Sequence, residues 1–333
     1  MWQRCKTLIV AVLALVFSQQ ALADTAWDSY KSRFLMPDGR IVDTGNKSVS
    51  HTEGQGFAMM MAVANGDRDS FDKMWNWTRK TLKNPENGLF YWRYNPVEAQ
   101  PIPDKNNATD GDTFIAWALL KAGEKWKNKE YLNESDAITK ALVAHNVVRF
   151  AGYQVMLPGV NGFNRNSYLN LNPSYFIFPA WQDFANRSHL MVWRDLINDG
   201  QKLLGKMHFG DPQLPSDWVS LYSDGRTVPA TQWPARFSYD AIRVPLYVYW
   251  FNHNSAELGV YKAWWGRFAR DKTPAWVNVT TGNTAPYMMA GGLLAVRDLI
   301  VQPASVAQPQ ITAQEDYYSA SLKMLVALSV SGT

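Results

Sequence analysis

Cysteine is almost missing from this 333-residue chain: Cys5 is the only one, and it lies ahead of the first apolar run. No disulfide, thiolate metal site or cysteine nucleophile can be built downstream of it. Its position also differs from that of a lipoprotein cysteine, which follows the apolar run. Histidine is scarce as well. His51, His145, His189, His208 and His253 show no HExxH or other ligand spacing, so no metal is expected. Charge of one sign is not concentrated anywhere. The formal net charge is only +4 and no block of five basic residues occurs, which sets nucleic acid aside as a partner. No apolar run reaches the roughly 20 residues of a membrane span.

The N-terminus carries an export pattern instead. Arg4 and Lys6 precede an apolar stretch from Leu8 to Phe17, and Ala21-Leu22-Ala23 follows at cleavage distance. We expect residues 1–23 to be a signal peptide cut near Ala23/Asp24, and residues 24–333 to form one domain in the periplasm. The remaining chain of about 310 residues can bury a large core without covalent staples.

Aromatic residues are abundant: 15 Trp, 15 Tyr and 15 Phe. They fit a bulky core, and they equally fit a cleft in which flat sugar faces stack on rings with a polar edge. Composition does not separate the two.

Apolar residues recur mostly at helical spacing. The pattern predicts helices over 25–35, 54–65, 68–83, 112–126, 129–149, 174–187, 189–206, 240–252, 255–270, 286–300 and 314–330. In the last, Tyr317, Ala320, Ser321, Met324, Leu325 and Leu328 share one face. Alternating patterns are limited to pieces such as 88–94 and 153–157. The chain reads as all-α, with a repeat of roughly 50–65 residues, long enough for a helical hairpin and a loop. Six such hairpins would close into an (α/α)6 barrel, with a twelfth helix hidden near 36–50 or 215–235. An open solenoid is the alternative, but no self-similarity at that period is visible. The low-complexity stretch 302–313 reads as a surface loop before the last helix. His145 falls on an apolar face with Ile138, Ala141 and Leu142 and is expected in the core.

Three predicted helices open with carboxylates. Ser50-His51-Thr52-Glu53-Gly54-Gln55-Gly56 matches a capping box twice, through Ser50/Glu53 and Thr52/Gln55. Its glycines also suit something large approaching the backbone, and His51 stands beside Glu53. Asn107-Ala108-Thr109-Asp110-Gly111-Asp112 reads as an N-cap. A calcium loop starting at Asp104 fails, because Thr109 replaces the required glycine and Ile115 the final glutamate. Tyr239-Asp240-Ala241-Ile242-Arg243-Val244-Pro245 must lie near a helix start, since Pro245 is tolerated only there. Taken singly, each could be a cap. In a barrel whose inner helices run parallel, all three would meet at one end. Convergent carboxylates among aromatics suit glycoside hydrolysis. An acid at a helix N-terminus is driven towards ionisation, so Glu53 would need burial or an acidic neighbour to keep its proton.

These three motifs, in this order and spacing, resemble those of glycoside hydrolase family 8, over a likeness running from about residue 25 to the end. They look nearest to the family's periplasmic endo-1,4-β-glucanases (cellulases) associated with bacterial cellulose synthase. The resemblance implies an (α/α)6 barrel, an inverting mechanism, no cofactor and no metal. It implies Glu53 as general acid, Asp240 as the base that activates water, and Asp110 as the carboxylate holding the sugar at the cleavage point. It places Gln55, Tyr239 and Arg243 in the cleft, with Tyr317 or Tyr318 and a stacking platform at Trp92. Inversion requires the carboxyl groups of Glu53 and Asp240 to stand roughly 6.5–9.5 Å apart. The implied partners are a β-1,4-glucan chain and a cellulose synthase or export complex. Other family substrates are chitosan, lichenan and xylan. Outside the family stand a non-catalytic glycan-binding or scaffold protein and an α/α-barrel lyase, which would need a Tyr or His base rather than an acidic site.

Overall fold

The computed structural model describes residues 26–331. The expected signal peptide and Cys5 lie outside the described residues. Eleven α-helices occur among them: α1 (26–34), α2 (Thr52–Ala64), α3 (Arg68–Thr81), α4 (Thr109–Lys125), α5 (Lys129–Asn146), α6 (Phe178–Ser188), α7 (Met191–Leu204), α8 (Arg243–Phe251), α9 (Leu258–Trp265), α10 (Gly291–Val301) and α11 (Tyr317–Ser331).

Six helices close a ring, each packing on the next in the order α2, α4, α6, α8, α10, α11 and back to α2. Their sequences explain the inner position. From Gly54 to Val63 every residue of α2 is buried, and α4 is buried almost throughout. A helix buried on all sides belongs inside. The outer helices bury one face only, as α7 does through Trp193, Leu196, Ile197, Gly200, Leu203 and Leu204. α3, α5 and α7 each pack on the inner helix before them and α9 packs on α8 and α10, while α1 touches α11. There Tyr30 bonds Ser321 at 3.0 Å and the Phe34 and Tyr317 rings meet edge to face. This is the (α/α)6 barrel.

The twelfth helix is not at either expected place. Residues 36–50 form bridged turns, and 215–235 contribute strands to a three-stranded sheet. The sixth outer position belongs to the run between α10 and α11, a loop with one short 3-10 turn at Pro303–Ser305. Two prolines and few apolar side chains leave that run nothing to bury as a helix.

Strands are more numerous than the alternation suggested, though all are short. β1 (Ser50–His51) pairs with β2 (Arg93–Tyr94), and β3 (Val147–Phe150) with β4 (Tyr153–Met156). β5 (Tyr168–Leu171), β6 (Val219–Tyr222) and β7 (Thr227–Pro229) form the three-stranded sheet, and β8 (Arg236–Phe237) pairs with β9 (Val277–Asn278). β1 runs straight into α2, and β8 into the turn before α8, so these pairings fix where the inner helices begin. His145 is exposed, against expectation. The buried stripe of α5 runs Tyr131, Ser135, Ile138, Leu142 and Asn146, one position round from it. No helix among the described residues is long and apolar enough to cross a membrane.

Candidate active site

The tightest crossing in the ring is between α2 and α4, and glycine makes it possible. A Cβ on Gly56 would lie 3.0 Å from the Ile115 nitrogen, and one on Gly111 would lie 2.7 Å from the Glu53 nitrogen. Gly54 sits under the Tyr317 ring in the same way. What approaches these glycines is therefore the protein's own packing, not an external molecule. The consequence is that Glu53 and Asp110, each in the first turn of its helix, become neighbours.

Neither expected capping box forms. His51 is the N-cap of α2 and makes no side-chain cap bond. Gln55 is 0% exposed; it accepts from the Ile41 N–H at 2.6 Å and donates to Thr78 Oγ1 at 2.8 Å. It braces the turn at 39–41 and does not reach the groove. Thr109 donates to the Leu157 carbonyl at 2.9 Å. Asp112 is buried beneath, taking the Phe90 N–H at 3.0 Å and the Asn107 amide at 2.7 Å.

The third carboxylate departs from the expected helix start. α8 begins at Arg243 rather than 240, and Asp240 stands in the tight turn before it. Pro245 is then the third helical residue, where a missing N–H leaves no intrahelical bond unmade. On that turn the Asp240 side chain keeps 36% of its surface.

Arg243 gathers the three. Its Nη1 is bonded to Glu53 Oε2, while Nη2 lies 3.2 Å from Asp240 Oδ1, 3.6 Å from Asp110 Oδ2 and 2.8 Å from Ser174 Oγ. Glu53 and Asp240 are thus held on different nitrogens of one guanidinium. The three carboxylates converge at one end of the ring, as expected. Burial pushes the Glu53 carboxyl up to about 8; the Arg243 charge opposes this, and the charge and hydrogen bond of Asp110 support it. Asp110 is raised too, by burial first, against the pull of Arg243. Burial outweighs the cation, so Glu53 keeps its proton at neutral pH.

These groups line a groove of about 650 Å³ together with His51, Trp92, Tyr175, Tyr239 and Tyr318. Trp92 lies parallel to His51, at 7° between planes, and its indole N–H donates to Asp104 at 2.8 Å. The Tyr318 hydroxyl donates to the Tyr239 carbonyl, and Tyr239 meets Tyr287 at 3.3 Å. Of the two candidate C-terminal tyrosines, Tyr318 faces the groove and Tyr317 is buried behind Gly54. Burial lowers the proton affinity of His51.

The sequence reading missed Tyr175, Asp43, Asp316 and Asp217. Asp316 had a legible signal, since it caps α11 by accepting the Ser319 N–H at 2.7 Å. Asp217, in Pro215-Ser216-Asp217-Trp218, had none.

The sequence profile of "Glycosyl hydrolases family 8" matches residues 1–332. An endoglucanase from Cellulomonas uda is 60% identical over 296 residues, covering 89% of this chain and 82% of that protein. The crystal structure of an endoglucanase from Klebsiella pneumoniae, described as a family 8 glycosyl hydrolase, superposes with a TM-score of 0.91. It is 61% identical and covers 92% of this chain and 99% of its own. The endo-β-1,4-glucanase CMCax from Acetobacter xylinum superposes at 0.90 with 37% identity, over 94% and 98% of the two chains. With a closed ring of inner helices, carboxylates meeting at their starts and a profile match along the whole chain, this protein belongs to glycosyl hydrolase family 8 and is a glycoside hydrolase.

Proposed function

We propose that the chain is an endo-1,4-β-glucanase that cleaves its glucan with inversion, Glu53 acting as acid, Asp240 as base and Asp110 as the sugar-holding carboxylate. The observation that carries this is the single Arg243 guanidinium holding all three on the floor of an open groove. Glu53, protonated at neutral pH, gives its proton to the leaving oxygen. Asp240, the most exposed of the three, stands where water enters and takes the proton of the attacking molecule. Asp110 adds to the burial that keeps Glu53 protonated and lies next to the reacting sugar. Trp92, Tyr239 and Tyr318 supply ring faces with polar edges for a neutral chain. The printed activity of the endoglucanase relatives supports β-1,4-glucan as substrate.

The test is parallel hydrolysis of carboxymethyl-cellulose, chitosan, lichenan and xylan, with the fresh product's anomer followed by NMR. Preferred cleavage of the cellulose derivative with an initial α-anomer is expected. An initial β-anomer would refute inversion, and a preference for another polymer would refute the substrate.

Export to the periplasm with cleavage near Ala23/Asp24, leaving one catalytic domain over 24–333, is part of the same reading. It is supported by the basic, apolar and small-residue order of the N-terminus. Mass spectrometry of periplasmic protein should find a chain starting at Asp24; a full-length chain confined to the cytoplasm would refute it. The family likeness also supports a role in cellulose biosynthesis, on chains emerging from a cellulose synthase or export complex. Deleting the gene should then alter the cellulose made.

A further inference from the structure

The turn that presents Asp240 has a brace behind it. Asp217, just ahead of β6, accepts the Ser238 N–H at 3.0 Å and the Ala241 N–H at 2.8 Å on the same oxygen. Its other oxygen takes the Ser238 hydroxyl. Its own N–H closes the clamp by donating to the Arg236 carbonyl at 2.7 Å. Ser238 and Ala241 flank Tyr239 and Asp240, so one carboxylate ties both ends of the segment and leaves Asp240 at its apex.

A neutral asparagine could accept the same two N–H groups. The carboxylate is the costlier choice, because a charge taken out of water is penalised unless a cation pairs with it. The ionisable groups facing Asp217 are Asp240, a like charge, and the Tyr318 phenol. Burial and then Asp240 push its carboxyl up to about 7. What sets this clamp apart is its place: it closes the turn whose apex carries Asp240, 3.2 Å from the Arg243 guanidinium.

We propose that Asp217 is a positioning residue for the base, acting through Asp240 by holding the turn that presents it. This rests on the reading of Asp240 as base. The experiment uses the whole protein and measures kcat and KM on cellopentaose, with melting curves, for D240A, D217A, D217N and D217A/D240A. D217A should lose about 100-fold in kcat, the scale of a misplaced reacting group, with KM nearly unchanged. D217N should recover part of that loss and melt like the wild type. In the D240A background D217A should change the residual rate by no more than about twofold. The proposal is overturned if D217A and D217N both turn over like the wild type, or if the loss is as large without Asp240 as with it. Should D217A not fold, D217N undergoes the same two comparisons. Wild-type turnover by D240A would instead remove the base assignment itself, whatever Asp217 does.

Discussion

Replacing Glu53 by Gln should abolish hydrolysis and yet make the protein more stable as pH rises. The unfolded chain releases the Glu53 proton near 4.5, whereas burial keeps it bound in the folded chain to about 8. Between those values unfolding sets a proton free, so wild-type stability falls with rising pH. Moving a carboxyl from 4.5 to about 8 corresponds to about 5 kcal/mol between its two protonation states, all of it lost above pH 8. Asp110 shares the same repulsion, so the pair rather than either carboxyl sets the size. Gln does not titrate. Its amide oxygen still accepts from Arg243 as a protonated Glu53 does, and the charged pair it lacks exists only where Glu53 is ionised, so that pull is already contained in the Glu53 shift. The assay is urea unfolding of both proteins at pH values from about 4.5 to about 9. The difference E53Q minus wild type should climb by several kcal/mol across that window and level off. A difference that is flat, or that falls with pH, would show that burial does not hold the Glu53 proton, and the acid assignment would lose its physical basis.

Asp110→Asn removes a negative neighbour from Glu53, so the alkaline limb of kcat/KM, set near pH 8 in the wild type, should move to lower pH in pH–rate profiles. Arg243→Met leaves Glu53, Asp110 and Asp240 without their shared cation; in chemical unfolding the cost should be smallest at acid pH, where the buried acids hold their protons, and rise above pH 8 towards the about 3–5 kcal/mol of a broken buried pair. Gly111→Ala sets a methyl 2.7 Å from the Glu53 nitrogen and against the Thr52 side chain. It should destabilise by about 1–3 kcal/mol in calorimetry and lower kcat together, because the strain falls on the helix start that carries the acid.

Most helices were legible from apolar residues at helical spacing; which of them lie inside shows in their burial, on all sides in α2 and on one face in α7. The missing twelfth helix was not legible. The low complexity of 302–313 did mark that run as a loop, but a hairpin count assumes that every inner helix has an outer helical partner, so the missing helix was looked for elsewhere. The start of α8 was misplaced for a related reason. Asp240 looks like a cap, but its turn is closed by Asp217, 23 residues upstream, and no window along the chain brings those two together.

Capping and catalysis were indistinguishable in the sequence because both put a carboxylate at a helix start. What separates them is the direction in which the oxygens are used. Asp217 and Asp112 spend theirs on backbone N–H groups of other segments, at Ser238, Ala241 and Phe90. Glu53 and Asp240 make no such bond and turn to Arg243, while Asp110 divides itself between the Gly111 N–H at 2.8 Å and the guanidinium side. A carboxylate satisfied by backbone is part of the frame. One held only by a cation in an open groove remains available to a proton or a sugar. The frame therefore has to be paid for elsewhere, by buried acids that stay hidden, and Asp217 is the one placed where its removal should be felt at the reacting bond.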